Sequence, residues 1–366
     1  MGLLAVVLAG GFATRLRPLT LTRPKPLLPV LDKPLVLWII ESLKRAGVDR
    51  VVLSVRYMAD AIESTVHREV SDIEVVSVRE PRPLGDAGPL RLIAERLGID
   101  ETFLVVYGDV FSDIDIARVV EYHRSAGALA TMTLVEVEDP TRYGIAELSD
   151  DGRVIRFVEK PRREEVFSNL ANAGVYVFEP EVVKLIPSGF AKIARDLVPQ
   201  LVERGQIYGY VHSGMWIDIG VPRDYLRANI EALRRFHPRG FVHPEARVSE
   251  RAEIVEPSYI GPGASVGSGS VVGPDTVLGH GVSVGEGCRV SRSLVFSNTT
   301  IESYSFIDEA IIGEGCYIGR WCRVERGAVI GDEVVLNDGV YVDRNVFILP
   351  YKEIDSSIRG EGRIVL

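Results

Sequence analysis

The chain has 366 residues, an apolar share of 46 % and a formal net charge of −9 at pH 7. This length exceeds one average domain, so two domains are expected, and an acidic balance without a basic block disfavours nucleic-acid and membrane-surface binders. Cys288, Cys316 and Cys322 show no C-x-x-C spacing, which indicates a reducing cytosol rather than a disulfide framework or a zinc site. The first apolar run, residues 3–9, is short and follows no basic region, so it predicts a buried strand and not a signal peptide or membrane span.

Up to about residue 235, short β-branched runs alternate with amphipathic segments. This alternation predicts an α/β fold, with a Rossmann-like, mixed but mostly parallel sheet covered by helices on both faces. The predicted strands lie at 3–9, 51–55, 73–78 and 103–106, and the predicted helices at 34–46, 59–66, 88–97 and 115–125. A mixed extension of the sheet is predicted from runs at 131–137, 143–148, 153–159 and 175–178, with a hairpin around Asp150-Asp151-Gly152.

From residue 241 the period changes, because aliphatic residues recur at six-residue spacing and glycine often follows them. Such hexapeptide repeats predict a left-handed parallel β-helix of about six coils, whose aliphatic side chains point inward and whose glycines fit the corners. The repeated positions are Val242, Val248, Ile254, Ile260, Val266, Val272, Leu278, Val284, Val290, Phe296, Ile301, Ile307, Ile312, Ile318, Val324, Ile330, Leu336, Val342 and Ile348.

The repeat shifts phase by one residue between Phe296 and Ile301 and again between Ile307 and Ile312, where we expect small corner loops. It is lost after Pro350, and the remaining residues are expected to cap the open end. The predicted domains are therefore 1–235 and 241–366.

A glycine-rich segment with nearby cations follows the first predicted strand, reading Leu8-Ala9-Gly10-Gly11-Phe12-Ala13-Thr14-Arg15, with Pro24-Lys25-Pro26 after it. Ligands of parallel α/β sheets bind at the carboxyl ends of strands. Glycines there let backbone N–H groups approach phosphate, and Arg15 and Lys25 can neutralise its charge. The spacing matches neither a dinucleotide fingerprint nor a Walker A loop, so a turn with scattered surface cations stays open at this point.

The wider string G-G-x-x-T-R-L-R-P-L-T, followed by P-K-P-L, resembles the motif of the sugar-1-phosphate nucleotidylyltransferases. The usual form is G-G-x-G-T-R, and Ala13 stands at the second glycine position. Further landmarks of the family follow in order: Pro83-Leu84-Gly85-Asp86-Ala87-Gly88, Tyr107-Gly108-Asp109, Tyr143-Gly144, Glu159-Lys160-Pro161, Asn172-Ala173-Gly174 and Trp216-Ile217-Asp218. The L-G-x-A-G-P-L stretch, the β-helix length and the ending are most similar to the mannose-1-phosphate guanylyltransferase branch.

The resemblance implies an enzyme that joins mannose 1-phosphate to GTP with Mg²⁺ and releases pyrophosphate. It implies catalytic roles for Arg15, Lys25, Asp109 and Asp218, with the two aspartates as metal ligands. The nucleotide contacts it implies are Leu8, Gly10, Gly11, Thr14, Arg15, Lys25, Gly85, Asp86 and Gly88. The sugar-phosphate contacts it implies are Gly144, Glu159, Lys160, Asn172 and Gly174.

Asp86 departs from the family pattern, which usually has threonine at this position. Its carboxylate could accept hydrogen bonds from the N1–H and N2–H₂ edge of guanine, or it could cap the helix predicted at 88–97, since aspartate is a preferred N-cap. We expect capping.

Other functions share part of this pattern. A glucose-1-phosphate uridylyl- or thymidylyltransferase would use the same implied residues. Hexapeptide β-helices also build acetyltransferases, which generally use a histidine base, and His243 and His280 are the histidines inside the repeats. A regulatory paralogue without turnover would lack the four charged catalytic residues, which are present here. The open end and flat faces of a β-helix favour a homo-oligomer.

Overall fold

The computed structural model describes residues 2–366. Its contacts divide the chain into two units. The first unit contains residues 2–11 and Leu35–Ile217, and the second contains Phe12–Pro34 and Asp218–Leu366. The early segment Phe12–Pro34 therefore folds with the C-terminal part of the chain, which its position in the sequence does not indicate.

The first unit is built on a nine-stranded mixed sheet. Its strands are β1 (Leu3–Leu8), β2 (Val48–Val55), β3 (Glu74–Arg79), β4 (Phe103–Tyr107), β5 (Ala130–Glu136), β6 (Gly144–Leu148), β7 (Val154–Glu159), β8 (Leu170–Phe178) and β9 (Ile207–His212). The order is β7-β6-β8-β4-β1-β2-β3, and β5 pairs with β8 and β9. The adjacent strands β4, β1, β2 and β3 are parallel, whereas β8 runs antiparallel to β4, β5 and β6. The predicted mixed sheet is confirmed.

Amphipathic helices accompany the sheet at the four predicted places, and one short helix was not predicted. They are α1 (Leu35–Arg45), α2 (Ala59–Glu69), α3 (Gly88–Leu97) and α4 (Ile116–Ala126), and the short α5 (Val198–Glu203) continues a π-helical turn at Ile193–Leu197. Helix α4 shows why the local sequence is helical. The Asp115 carboxylate accepts the Arg118 N–H at 3.2 Å, which caps the first turn, and Gly127 ends the helix in the left-handed conformation. Two further short strands are Val110–Ser112 and Trp216–Asp218.

The β-helix is confirmed as three sheets of eight, seven and six short parallel strands. The first sheet contains Phe241–Val242, Ser258–Ile260, Thr276–Leu278, Leu294–Val295, Ile311–Ile312, Val329–Ile330, Phe347–Ile348 and Ile364–Val365. The second contains Arg247–Val248, Ser265–Val266, Ser283–Val284, Thr300–Ile301, Tyr317–Ile318, Val335–Leu336 and Glu353–Ile354. The third contains Glu253–Ile254, Val271–Val272, Arg289–Ser291, Phe306–Asp308, Arg323–Val324 and Tyr341–Val342.

One repeat position was wrongly assigned from the sequence. Val295, and not Phe296, fills the inward position, because Val295 pairs with Leu278 and belongs to the buried core of the coils. Phe296 packs outside that core, where its ring meets Tyr225 edge-on at 6.2 Å between centroids. Two neighbouring apolar residues made the register ambiguous in the sequence.

The phase shifts shorten the corners instead of adding loops, contrary to the expectation of small corner loops. Neighbouring coils of the first sheet pair at Ile260–Leu278, Leu278–Val295 and Val295–Ile312. In the last two pairs the partners are one residue closer in sequence than in the first. The short corners contain Arg292 and Glu309, both in the left-handed conformation, with φ of 48°. A tight turn therefore absorbs each missing residue.

The second unit also contains α6 (Pro222–Phe236), which helps to hold the segment Phe12–Pro34. That segment has 3₁₀ turns at Thr14–Leu16, Leu19–Leu21 and Lys25–Leu27, and short strands at Pro29–Val30 and Lys33–Pro34. The buried Asn229 side chain accepts the Leu31 N–H at 2.8 Å, and the Tyr225 hydroxyl donates to the Pro29 carbonyl at 2.5 Å. Within residues 2–366 no helix is long and apolar enough to cross a membrane.

Candidate active site

Several predicted site residues of the first unit follow the carboxyl ends of adjacent parallel strands. Leu8 is the last residue of β1, and Gly10 and Gly11 follow it after Ala9. The Gly108 N–H, just beyond the end of β4, donates to the Leu8 carbonyl at 2.9 Å. Asp109, the next residue, therefore lies near the start of the glycine-rich turn. This is the edge of the sheet, at the carboxyl ends of the strands, where ligands of parallel α/β sheets bind.

Glu80 is a site candidate that the sequence analysis missed. It follows β3, and the Ser54 hydroxyl donates to its carboxylate at 2.9 Å. A Cβ atom on Gly10 would lie 2.5 Å from this carboxylate, so a larger residue would not fit at position 10 without movement. Burial raises the pKa of Glu80 above its usual range. The signal in the sequence that could have identified Glu80 was its position directly after β3, the strand that pairs with β2.

Asp86 does not cap α3, contrary to the expectation. Ala87 stands at the N-cap without a side-chain hydrogen bond. The Asp86 carboxylate instead accepts the Ile193 N–H at 2.6 Å and the Tyr107 hydroxyl at 3.0 Å. Burial raises the pKa of Asp86, and these two hydrogen bonds only partly oppose that effect. Gly85 and Gly88 lie in the same turn, close to the backbone of residues 189–191.

A buried chain of polar groups joins Asp86 to Asn172. Tyr107 is hydrogen-bonded to both Asp86 and Tyr176, and burial raises the pKa of both tyrosines well above the usual value. The Asn172 amide donates to the Tyr176 hydroxyl at 2.5 Å and accepts the Gly174 N–H at 3.0 Å. The chain thus connects a predicted nucleotide residue with two predicted sugar residues. Tyr107 ends β4 and belongs to the motif Tyr107-Gly108-Asp109, whereas Tyr176 lies inside β8, where nothing in the sequence separates it from core residues.

The other predicted sugar-side residues lie around the ends of β6 and β7. Glu159 is the last residue of β7, and its carboxylate lies 4.0 Å from the Lys160 amine. Burial raises the pKa of Glu159. Gly144 begins β6 opposite Glu159, and a Cβ atom there would lie 2.6 Å from the Glu159 carboxylate. Lys160 has a left-handed backbone, with φ of 47°, and its side chain is 66 % exposed.

In the second unit, Ala13 adopts the conformation that the family's second glycine would favour. Its φ of 47° lies in the left-handed region, which costs alanine more than glycine. The Thr20 hydroxyl donates to the Ala13 carbonyl at 2.8 Å. This bond holds the turn just before Thr14 and Arg15, which form a 3₁₀ turn with Leu16.

Three of the four predicted catalytic residues come together in this unit. The Lys25 amine lies 4.0 Å from the Asp218 carboxylate, and the Lys25 side chain is 9 % exposed. A Cβ atom on Gly220 would lie 3.3 Å from the Arg15 guanidinium and 3.2 Å from the Asp218 carboxylate. Asp218 therefore has the Lys25 amine nearby and shares the surroundings of Gly220 with Arg15. Asp109 belongs to the other unit.

No cluster of three or more His, Cys, Asp or Glu side chains suited to a metal ion occurs in residues 2–366. A metal at this site would rest on fewer protein ligands, with the remaining positions filled by substrate oxygens or water. Asp218 offers the hard carboxylate oxygens that Mg²⁺ prefers.

Family models match both halves of the chain. Residues 4–235 match the nucleotidyl transferase model, and residues 254–365 match a GMPPB C-terminal domain model. The first match covers more than half of the chain and contains every predicted site residue.

Curated relatives are similar over about two thirds of the chain. A Sulfolobus acidocaldarius protein assigned as a mannose-1-phosphate guanyltransferase is 46 % identical over 239 residues, 65 % of each chain. The mannose-1-phosphate guanylyltransferase catalytic subunit beta of Drosophila pseudoobscura pseudoobscura is 38 % identical over 62 % of this chain. The chain spans 65 % and 61 % of the length of these two relatives.

Solved structures are similar over 63 % of the chain. HddC from Yersinia pseudotuberculosis is 28 % identical, with a TM-score of 0.55, over 63 % of this chain and 99 % of its own. A second structure of HddC is a complex with GMP-PN. A Bacillus anthracis protein assigned as a glucose-1-phosphate thymidylyltransferase is 27 % identical, with a TM-score of 0.58, over 63 % of this chain and 95 % of its own.

Proposed function

Because the chain belongs to the nucleotidyl transferase family, we propose that it joins mannose 1-phosphate to GTP and releases pyrophosphate. The observation that carries this proposal is the position of Asp218, which lies 4.0 Å from the Lys25 amine and borders Gly220 together with Arg15. Two cations beside a carboxylate suit a triphosphate that arrives with a divalent cation. The relatives named as mannose-1-phosphate guanylyltransferases support GTP and mannose 1-phosphate as the substrates.

The reaction needs no general base from the protein. The second pKa of a phosphomonoester is about 6, so the attacking phosphate is mostly dianionic near neutral pH. Attack on the α-phosphorus then depends on bringing two anions together and stabilising the departing pyrophosphate. Arg15 and Lys25 supply positive charge for this purpose. The low exposure of the Lys25 side chain strengthens its electrostatic effect, because little water screens it.

Asp109 and Asp218 would hold a magnesium ion. When bound, the ion would neutralise triphosphate charge and act as a Lewis acid on the phosphoryl oxygens. Mg²⁺ usually takes one or two protein carboxylates together with phosphate oxygens and water, which suits two aspartates. Lys25, close to Asp218, would orient that carboxylate in the absence of nucleotide.

The remaining residues divide into a nucleotide side and a sugar side. On the sugar side, Lys160 would bind the phosphate of the sugar 1-phosphate. Glu159 and Asn172 would bind the sugar hydroxyls. Gly144 and Gly174 would let the backbone approach the sugar. On the nucleotide side, the residues are Leu8, Gly10, Gly11, Thr14, Gly85, Asp86 and Gly88. If GTP preference is unchanged in Asp86→Thr, Asp86 does not read the base.

The domain division at 1–235 and 241–366, and assembly into a homo-oligomer through the β-helix, belong to the same proposal. Three free cysteines, all buried, support a reducing compartment such as the cytosol. Light scattering of the purified protein measures the assembly, and a monomer at all concentrations contradicts it.

A matrix assay of four nucleoside triphosphates against several sugar 1-phosphates tests the substrates. We expect pyrophosphate release to be fastest with GTP and mannose 1-phosphate. Faster turnover of glucose 1-phosphate with UTP or dTTP would replace this assignment with the uridylyl- or thymidylyltransferase alternative. Full activity of Asp109→Ala would overturn the metal assignment.

Lys25→Gln tests the role of the buried lysine. We expect kcat/KM for the nucleotide to fall by about 10²-fold, because an electrostatic contact to the developing charge is lost. Lys184→Gln, a change at an exposed lysine, is the matched control and should keep normal activity. Equal activity of the two variants would remove Lys25 from the catalytic group.

A further inference from the structure

The β-helix contacts the segment Phe12–Pro34 through Arg23. One guanidinium nitrogen of Arg23 lies 2.6 Å from the Asp332 carboxylate and 2.7 Å from that of Glu314. The side chains of Arg23 and Asp332 are only 18 % and 8 % exposed. The Arg23–Asp332 pair is therefore partly removed from water, and breaking it leaves a charge without its partner.

Asp332 is itself held in place by its surroundings. One carboxylate oxygen accepts the Glu314 N–H at 2.8 Å, and the other accepts the Thr22 hydroxyl at 2.5 Å as well as Arg23. The Phe296 ring, which lies outside the β-helix core, is 4.9 Å from the Arg23 guanidinium. Arg23 is thus fixed by two carboxylates and an aromatic face.

Arg23 is separated from Lys25 by a single proline. Pro24 and Pro26 flank Lys25, and each has a fixed φ and restricts the residue before it. Backbone N–H groups of Leu27 and Leu28 donate to the Pro24 and Lys25 carbonyls at 2.9 and 3.0 Å. A connection this short and stiff transmits the placement of Arg23 to Lys25.

We propose that Asp332 and Glu314 of the β-helix are positioning residues, which fix Arg23 and thereby place Lys25 for the triphosphate. The proposal rests on the proposed function, because the role of Lys25 does. It gives the β-helix a direct part in nucleotide binding. The acidic side chains act through Arg23 and do not touch the substrate.

Asp332→Asn tests the proposal with little change of shape. The amide presents a donor where Arg23 needs an acceptor, so we expect the KM for the nucleotide to rise by about tenfold, since small misplacements of a charged group are costly. The KM for the sugar 1-phosphate should stay near the wild-type value. If Asp332 only stabilised the fold, its replacement would not raise the nucleotide KM selectively over the KM for the sugar 1-phosphate.

Asp275→Asn is the matched control. Asp275 accepts two hydrogen bonds from Arg234, at 2.9 and 2.8 Å, and its side chain is 12 % exposed. The Asp275→Asn substitution therefore breaks a similar ion pair of the β-helix. This pair is formed with α6 and not with the segment that contains Lys25. Unchanged nucleotide KM in both variants, or an equal rise in both, overturns the proposal.

A double-mutant cycle with Arg23→Met tests whether Asp332 acts through Arg23. If it does, the double variant is little worse than either single variant, because the effects on nucleotide KM are not additive. Fully additive effects overturn the proposed route.

Amide hydrogen exchange without substrates separates this proposal from the proposed function. We expect faster exchange at Leu27 and Leu28 in Asp332→Asn but not in Asp275→Asn. If the wild-type chain transfers no nucleotide, the proposed function fails, and faster exchange still supports the positioning of Lys25. Unchanged exchange at Leu27 and Leu28 in Asp332→Asn overturns the proposed positioning of Lys25. Should Asp332→Asn fail to fold, Glu314→Gln, with a side chain 42 % exposed, takes its place under the same criteria.

Discussion

At the scale of single residues, the candidate site contains acidic groups that burial keeps from ionising easily. Burial raises the pKa values of Glu80, Asp86 and Glu159, all in the first unit. Asp86 lies close to Tyr107 and Tyr176, whose own pKa values are raised, so both tyrosines stay neutral at physiological pH. Such carboxylates cost folding free energy when charged and are retained for what they bind or orient.

Asp86→Asn should stabilise the protein at neutral pH. The native state keeps the Asp86 proton to higher pH than the unfolded chain does, so wild-type stability falls as pH rises through this window. Asp86→Asn has no carboxyl group to titrate and does not lose stability in this way. Its free energy of unfolding should exceed that of the wild type by about 1.4 kcal/mol for each unit by which folding raises the pKa of Asp86. Asparagine can still accept the Ile193 N–H and donate to Tyr107.

Unfolding of both proteins in denaturant between pH 4 and pH 8 measures this effect. The difference in free energy of unfolding should be largest at pH 8 and close towards about pH 4, near the ordinary aspartate pKa. A constant difference across the range, or a less stable variant at pH 7, would show that the two hydrogen bonds of the carboxylate outweigh its burial.

Sequence motifs indicated the charged residues of the candidate site better than the groups that support them. Lys25 and Asp218 were named from the family resemblance, and the structure brings them together. Glu80 was missed because its partner Ser54 lies on another strand. Tyr107 was quoted in a family motif without a role, and Tyr176 was missed because a tyrosine inside a strand has the same local pattern whether it packs or donates.

At the scale of elements, periodicity predicted what depends on local burial. The strands up to α4 follow from short β-branched runs, the helices from amphipathic segments and the β-helix from a spacing of six residues. The inward position at Val295 was misplaced because Phe296 is equally apolar. No periodicity marks contacts between distant segments, so the place of Phe12–Pro34 beside α6 and the β-helix could not be predicted.

Ile312→Ala tests the β-helix core. Ile312 is fully buried between Val295 and Ile330 of the same sheet, and the lost contacts and cavity should cost about 2–5 kcal/mol. Tyr317→Ala, at a side chain 40 % exposed on the same coil, should change the free energy of unfolding by less than about 0.5 kcal/mol. Chemical denaturation gives both values, and similar losses would place Ile312 outside the core.

At the scale of the whole molecule, the two units divide the candidate residues. Arg15, Lys25 and Asp218 belong to the unit with the β-helix, whereas Asp109, Asp86 and the sugar-side residues belong to the other. Each unit has its own apolar core. The charged group that we assign to the triphosphate is thus held by residues of the C-terminal half.

Nucleotide binding should therefore raise the thermal stability of the chain. A ligand at a hundred times its dissociation constant adds about 2.7 kcal/mol to the free energy of unfolding. We expect a clear rise in Tm with GTP and Mg²⁺, and a smaller one with ATP at the same concentration. Differential scanning fluorimetry measures both, and an equal rise with the two nucleotides would contradict guanine selectivity independently of turnover.

The contact between Thr22 and Asp332 joins residues 310 positions apart. A ribosome therefore releases the segment Phe12–Pro34 long before Asp332 exists. On the proposed role of Asp332, a chain that ends before this residue lacks the anchor of Arg23, and we expect it to bind nucleotide more weakly than the full chain does. Full nucleotide affinity should therefore appear only after the coil that contains Asp332 has been synthesised.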